Sequence, residues 1–180
     1  CTIHYLGDKG GTIMVLHAGD QHPVYGPRHL AFMDQVRRNS KIDVLADLDC
    51  KADPREARRI IKDRTERYPR LNLWVSMDDW ALADGTPGSE VFGKGPRYIT
   101  FGGLPRQWPL VRSGVCPCVV GADYGDIAAR AAQFCISGVR EPAQERRDFY
   151  VPMRSVSADN LDAYARDWSA WAGLPATTNP

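Results

Sequence analysis

Short apolar runs alternate with amphipathic helical stretches along nearly the whole chain, and this alternation limits the fold to an α/β sheet with parallel strands. "TIMVLHA" (12–18) reads as a buried strand and leads to "PRHLAFMDQVRR", where Pro27 suits a first helical position and Leu30, Met33 and Val36 line one face. "IDVLADL" (42–48) is the second strand. Asp53 and Glu56 have capping-box spacing around Pro54, and Ala57, Ile60 and Ile61 give the following helix its apolar side. "LNLWVSM" (71–77) runs into "DDWALADG", and "TPGSEVFGKGP" (86–96) is too rich in Gly and Pro for a full helix. "RYITFGG" (97–103) is a fourth strand, followed by the short helix "PRQWPLVRSG". "GADYGDIAARAAQFCISG" (121–138) repeats the pattern, with Asp123 as cap and Ile127, Ala131, Phe134 and Cys135 on one face. The charged connector "VREPAQERRD" leads to a last strand, "FYVPMRSV", and to a helix carrying Leu161, Tyr164, Trp168 and Trp171 at helical spacing.

Composition excludes several classes. A chain of 180 residues with 43% hydrophobic and 25% charged residues is long enough to bury a substantial core. Its net charge of +1 gives no electrostatic case for nucleic acid or an anionic membrane. No apolar run approaches the roughly 20 residues of a membrane span, and no signal peptide is visible ahead of Cys1. Five cysteines do not make a disulfide framework, and Cys116 and Cys118 are too close for an easy bridge. They read as small apolar residues, with a lipid-bearing Cys1 as the alternative. His17, His22 and His29 invite a metal, but no pair has helical i, i+4 spacing and a loop separates them, so no metal or other cofactor is expected. There is no Gly-x-Ser-x-Gly elbow and no phosphate loop, and no catalytic residue is assigned.

In an open α/β sheet, ligands bind beyond the carboxyl ends of the strands. Those ends offer Asp20, His22 and Arg28, then Asp49 and Cys50, then Met77, Asp78, Asp79 and Trp80, then Gly102, Gly103 and Leu104, and finally Ala122, Asp123 and Tyr124. Arg28 is the strongest ligand candidate, because a planar guanidinium fork suits neighbouring hydroxyls or a carboxylate. Asp78 and Asp79 accept hydroxyl hydrogen bonds or cap the turn. Trp80 stacks on a sugar ring or fills core space, and Asp123 caps its helix or touches ligand.

The order and spacing of these pieces resemble the second half of the ribose- and galactose-type periplasmic sugar-binding proteins, whose fold is shared with lactose-repressor-type regulators. "GGTIMVLHAG…GPRHLAFMDQVRRN", "DPREARRIIKDRTERYPRLNLWVSMDDWALADG", "YITFGGLP", "GADYGDIAARAAQFCISG" and "VPMRSVSADNLDAY" carry the resemblance, which covers nearly all of the chain. Arg28 matches the family arginine that contacts sugar. Two positions depart. The family commonly has Asn where Met77 stands, and the Asp that holds sugar hydroxyls corresponds to Gly102. Both losses argue against a standard hexose or ribose and leave a less polar, an acidic or a differently placed polyol ligand open.

The resemblance implies an α/β parallel sheet flanked by helices, forming one lobe of a two-lobe periplasmic-binding-protein-like fold. It divides the chain into a ligand-binding lobe (1–118), a strand-helix segment (119–140) that packs on a first lobe or a partner chain, and a return to the lobe with a C-terminal helix (141–180). The implied function is the periplasmic or extracytoplasmic solute-binding component of an ABC-type importer, not an enzyme, with a sugar-like or related small polar ligand and a membrane permease as partners. Homodimerisation or a domain swap through 119–138 is the expected way for a single lobe to cover its helix. The alternative is the sensor domain of a lactose-repressor-type regulator. Expected ligand contacts are Arg28, Asp49, Asp78, Asp79, Trp80, Gly102 and Asp123.

Overall fold

The central apolar runs become the middle of a single six-stranded sheet in the computed structural model, which describes residues 1–83, 88–92, 95–140 and 151–173. A short helix α1 (Thr2–Leu6) precedes β1 (Gly11–His17), α2 (Tyr25–Arg37), β2 (Ile42–Asp49), α3 (Pro54–Arg67) and β3 (Leu73–Ser76). Then follow α4 (Gly88–Phe92), β4 (Arg97–Gly102), α5 (Trp108–Arg112), β5 (Cys118–Ala122), α6 (Tyr124–Arg140), β6 (Met153–Val156) and α7 (Leu161–Trp171). The strand order is β2-β1-β3-β4-β5-β6, parallel throughout except for the antiparallel edge pair β5–β6.

The strands nearest the centre are covered on both faces, which is why they read as unbroken apolar runs. Ile13, Met14, Val15 and Leu16 of β1 are fully buried, as are Leu73 and Trp74 of β3. Asp53 caps α3 by accepting from the Arg55 and Glu56 amides, with Pro54 at the first turn. Only half of the capping box forms, because the Glu56 carboxylate turns to Arg59 instead. Ala57, Ile60 and Ile61 are the buried side of that helix.

Several expectations need correction. Helix α2 begins at Tyr25, two residues before Pro27, and its buried face is Gly26, His29, Met33 and Val36. Leu30 is 53% exposed, because His29 takes the inward position one residue earlier. The stretch 86–96 holds only the short helix α4, and residues 84–87 and 93–94 lie outside the described residues. So does the connector from residue 141 onward, and the last strand is described from Met153.

The boundary expected at 118/119 falls inside β5. That strand pairs within the sheet: Ile99, Thr100, Phe101 and Gly102 pair with Cys118 through Gly121, and β6 pairs along its other side. The helix half of the segment behaves differently. Along α6, Ile127, Ala131, Phe134, Cys135 and Ile136 are all exposed. The cysteines also depart from expectation. Cys1 and Cys118 form a disulfide that ties the chain start to β5, and Cys50, Cys116 and Cys135 remain free thiols. The Cys1 sulfur is thereby unavailable for a lipid thioether. A separation of 117 residues hid this pair from the sequence.

Candidate functional site

At the carboxyl ends of β3 and β4 the chain builds a patch of rings around one cation. Arg28 leaves the first turn of α2, and its Nη1 donates to the Met77 carbonyl at 2.6 Å. Its guanidinium carbon lies 4.1 Å from the Phe101 ring centroid and 5.8 Å from that of Tyr25. A guanidinium held over an aromatic face is both oriented and partly desolvated. Tyr25 meets the edge of Trp80 at 4.9 Å and stacks on His22 at 4.3 Å. Its phenol titrates above the ordinary value, first because of its hydrogen bond to the Asp78 carboxylate and then because of partial burial.

The carboxylates of the patch are engaged within the chain. Asp78 accepts the Asp79 amide at 2.9 Å. Asp79 is 7% exposed, and Arg106 Nε donates to its Oδ2 at 2.8 Å. Burial pushes the Asp79 carboxyl above the usual range, against the opposing pull of Arg106. Trp80 is 5% exposed and belongs to the core, touching the patch through Tyr25.

Gly102 closes the floor. Its φ of +132° suits glycine, and an added Cβ would meet the Gln107 amide, with Oε1 at 2.8 Å. Gln107 is fully buried there because it pins the turn after β4, accepting the Leu104 amide and donating to the Phe101 carbonyl. Tyr124 completes the wall by donating to the Gly102 carbonyl at 2.9 Å, and burial raises its phenol.

Two expected residues stand apart from this cluster. Asp123 caps the start of α6 through the Asp126 amide and pairs with Arg154 at 2.8 Å. Asp49 ends the edge strand β2, two strands from β3, and accepts the Lys51 amide. The structure adds Tyr25, Phe101, Arg106 and Gln107, which sequence reasoning missed, and includes Tyr124, which the strand-end reading had offered. Phe101 and Tyr124 end or follow strands and were legible as carboxyl-end residues. Arg106 and Gln107 had no such signal, because their partners lie across a turn.

A second polar cluster flanks the first. His29 is 4% exposed, with Nδ1 2.6 Å from Asp20 Oδ1 and Nε2 2.9 Å from Asp47 Oδ1. Each ring nitrogen of His29 thus faces a carboxylate. His17 stacks on His29 at 4.2 Å with a 10° interplanar angle. The ligand-type atoms of His17, Asp20 and His29 lie within 4.8 Å of one another, a closeness that their spacing in the sequence did not foretell. With Asp20 and Asp47 on its two nitrogens and His17 stacked on its face, His29 is a carboxylate-clamped imidazole. His22 is not part of it and packs on Tyr25.

No helix among the described residues is long and apolar enough to cross a membrane. No family model matches the chain. No curated protein matches it either. Solved structures do. An ABC transporter solute-binding protein from Bacillus halodurans with bound myo-inositol superposes with a TM-score of 0.75 at 14% identity, covering 92% of this chain and 57% of that one. A periplasmic solute-binding protein from Actinobacillus succinogenes with bound D-allose gives 0.74 at 16% identity, covering 91% and 58%. The fructose-binding periplasmic domain of a hybrid two-component system gives 0.76 at 14% identity, covering 95% and 57%. The chain therefore spans less than two thirds of the length of these structures, and its fold is that of one lobe of a periplasmic binding protein.

Proposed function

We propose that the protein is the solute-binding component of an ABC-type importer and takes a sugar-like polar molecule against the carboxyl ends of β1, β3 and β4. The observation that carries this reading is the Arg28 guanidinium laid over the Phe101 ring with Tyr25 at its side, anchored on the Met77 carbonyl. Flat apolar surfaces next to fixed hydrogen-bonding groups suit a molecule with a ring face and a polar rim. The patch is open, and the second surface that would enclose a ligand comes from another lobe, which also covers the exposed face of α6. A second copy of the chain, by dimerisation or a swap through 119–138, is the other way to cover that face. Binding closes the two surfaces, and a membrane permease reads the closed shape. No chemistry on the ligand is involved.

The Cys1–Cys118 disulfide supports an extracytoplasmic site of action, since such bonds persist in oxidising compartments. The binding proteins named above favour this reading over a repressor-type sensor, for which no observation speaks. The test is a thermal-shift and calorimetric screen of sugars, polyols and sugar acids on the natural protein that carries this chain. Saturable binding that Arg28→Ala weakens by about 1–3 kcal/mol supports the reading. Absence of binding by every class removes it.

A further inference from the structure

Resting on that reading, we infer that the ligand carries a negative charge: the patch around Arg28 is built for a carboxylated sugar or polyol rather than a neutral one. The charges at the carboxyl ends of the strands lead to this. Arg106 is neutralised by Asp79, and Arg154 by Asp123 and Asp167. Arg28 differs. Its partners are the Met77 carbonyl and the faces of Phe101 and Tyr25, and among the described residues no carboxylate lies within ion-pair distance of it. It uses one N–H of its fork on Met77, which leaves further donors of a planar cation whose orientation the Phe101 face fixes.

The acceptor side of the patch is depleted to match. Asp79 is committed to Arg106, and Asp78 Oδ1 accepts the Asp79 amide. Position 102 carries no side chain, and Gln107 fills the space one would need. A neutral sugar presents hydroxyls that donate as readily as they accept, so it meets a free cationic donor and few free acceptors. A carboxylate answers the fork with two parallel charge-assisted hydrogen bonds. It also supplies the counter-ion that a guanidinium needs once closure removes water, since an unpaired charge in a dry site is costly.

The experiment is calorimetry at pH 7 on the natural protein that carries this chain, with matched pairs: D-galactose against D-galacturonate and D-glucose against D-gluconate. An acid that binds at least about tenfold tighter than its neutral partner, an advantage that shrinks as salt rises, is the expected result. Arg28→Gln, checked for an unchanged circular dichroism spectrum, should bring the acid down to the level of its partner. A neutral sugar that binds as tightly as its acid overturns the charge inference and leaves solute binding standing. Failure of both members of every pair to bind overturns both readings.

Discussion

The Arg28 guanidinium carbon stands 4.1 Å from the centre of the Phe101 ring, which joins the first turn of α2 to the end of β4 across the carboxyl end of β3. The contact does more than add attraction. It fixes the plane of the fork and leaves the in-plane N–H groups for a partner. Met77, which stands where a polar residue was expected, contributes through its backbone carbonyl, so its apolar side chain is free to pack in the core.

Phe101→Leu should therefore weaken ligand binding by about 0.5–2 kcal/mol, the range of a cation–π contact that is partly or fully desolvated. Stability should change little, because the ring is only partly buried and Leu keeps the strand apolar. Calorimetry beside a urea melt separates the two effects. An unchanged affinity would mean that Met77 alone orients the guanidinium.

His29 sits between Asp20 and Asp47 with both ring nitrogens engaged. His29→Ala removes a buried ring from between two partly exposed carboxylates, and should cost roughly 1–3 kcal/mol in chemical denaturation. Adding Asp47→Asn should recover part of that loss, because it removes one of the two carboxylate charges. Strict additivity in this double-mutant cycle would show that the clamp is not a coupled unit.

Much of this architecture was legible in the sequence, and the reasons are physical. β1 and β3 showed themselves because strands buried on both faces read as continuous apolar runs. α3 showed itself because Asp53 and Pro54 mark a helix start. What was hidden depends on distance along the chain. Cys1 and Cys118 are 117 residues apart, and the His29 clamp draws on a loop, a helix and a strand. Leu30 misled because a polar His29, paired on both sides, is as good an inward residue as a leucine. In the site, Arg28 was recognisable from its place after β1, but the Phe101 and Met77 partners that hold it lie 49 residues or more along the chain.

The Asp79–Arg106 pair predicts a pH signature. Burial raises the folded-state carboxyl of Asp79 above its unfolded value, so the folded protein holds this proton more tightly than the unfolded chain. The group's contribution to stability is then greatest below the ordinary carboxylate range. It falls as pH rises from there through the raised value. Arg106→Ala, by stranding the carboxylate, should push that value further up, with a stability loss of roughly 3 kcal/mol at pH 7 that shrinks on acidification. Urea melts between pH 4 and 7 test this. A loss that stays constant across the range would show that Asp79 is not the group involved.

Gly102→Ala examines the floor. A φ of +132° is costly for any residue with a Cβ, and the Gln107 amide occupies the space that the new atom needs. A destabilisation of about 1–3 kcal/mol is expected from backbone strain alone. Gly102→Asp should be worse and should not restore a sugar-holding carboxylate. Equal stability of Gly102→Ala and wild type in a thermal melt would contradict the turn geometry.

The free thiols report on both the core and α6. Burial pushes Cys50 and Cys116 up to about 12, while Cys135 is exposed on α6. At pH 8 a thiol with that value is thiolate in about one molecule in 10,000, and only thiolate alkylates at a useful rate. Iodoacetamide should therefore label Cys135 alone in the native 180-residue chain, with Cys50 and Cys116 following only on unfolding. Rapid labelling of Cys50 would mean that the packing between β2 and α3 is open. The same reagent addresses what covers α6. If another lobe packs there in the natural protein, Cys135 should label markedly more slowly than in this chain alone. A concentration-dependent slowing in this chain alone would instead assign the covering surface to a second copy. Labelling that is equally fast in both proteins and at every concentration would show that the apolar face of α6 stays open to solvent.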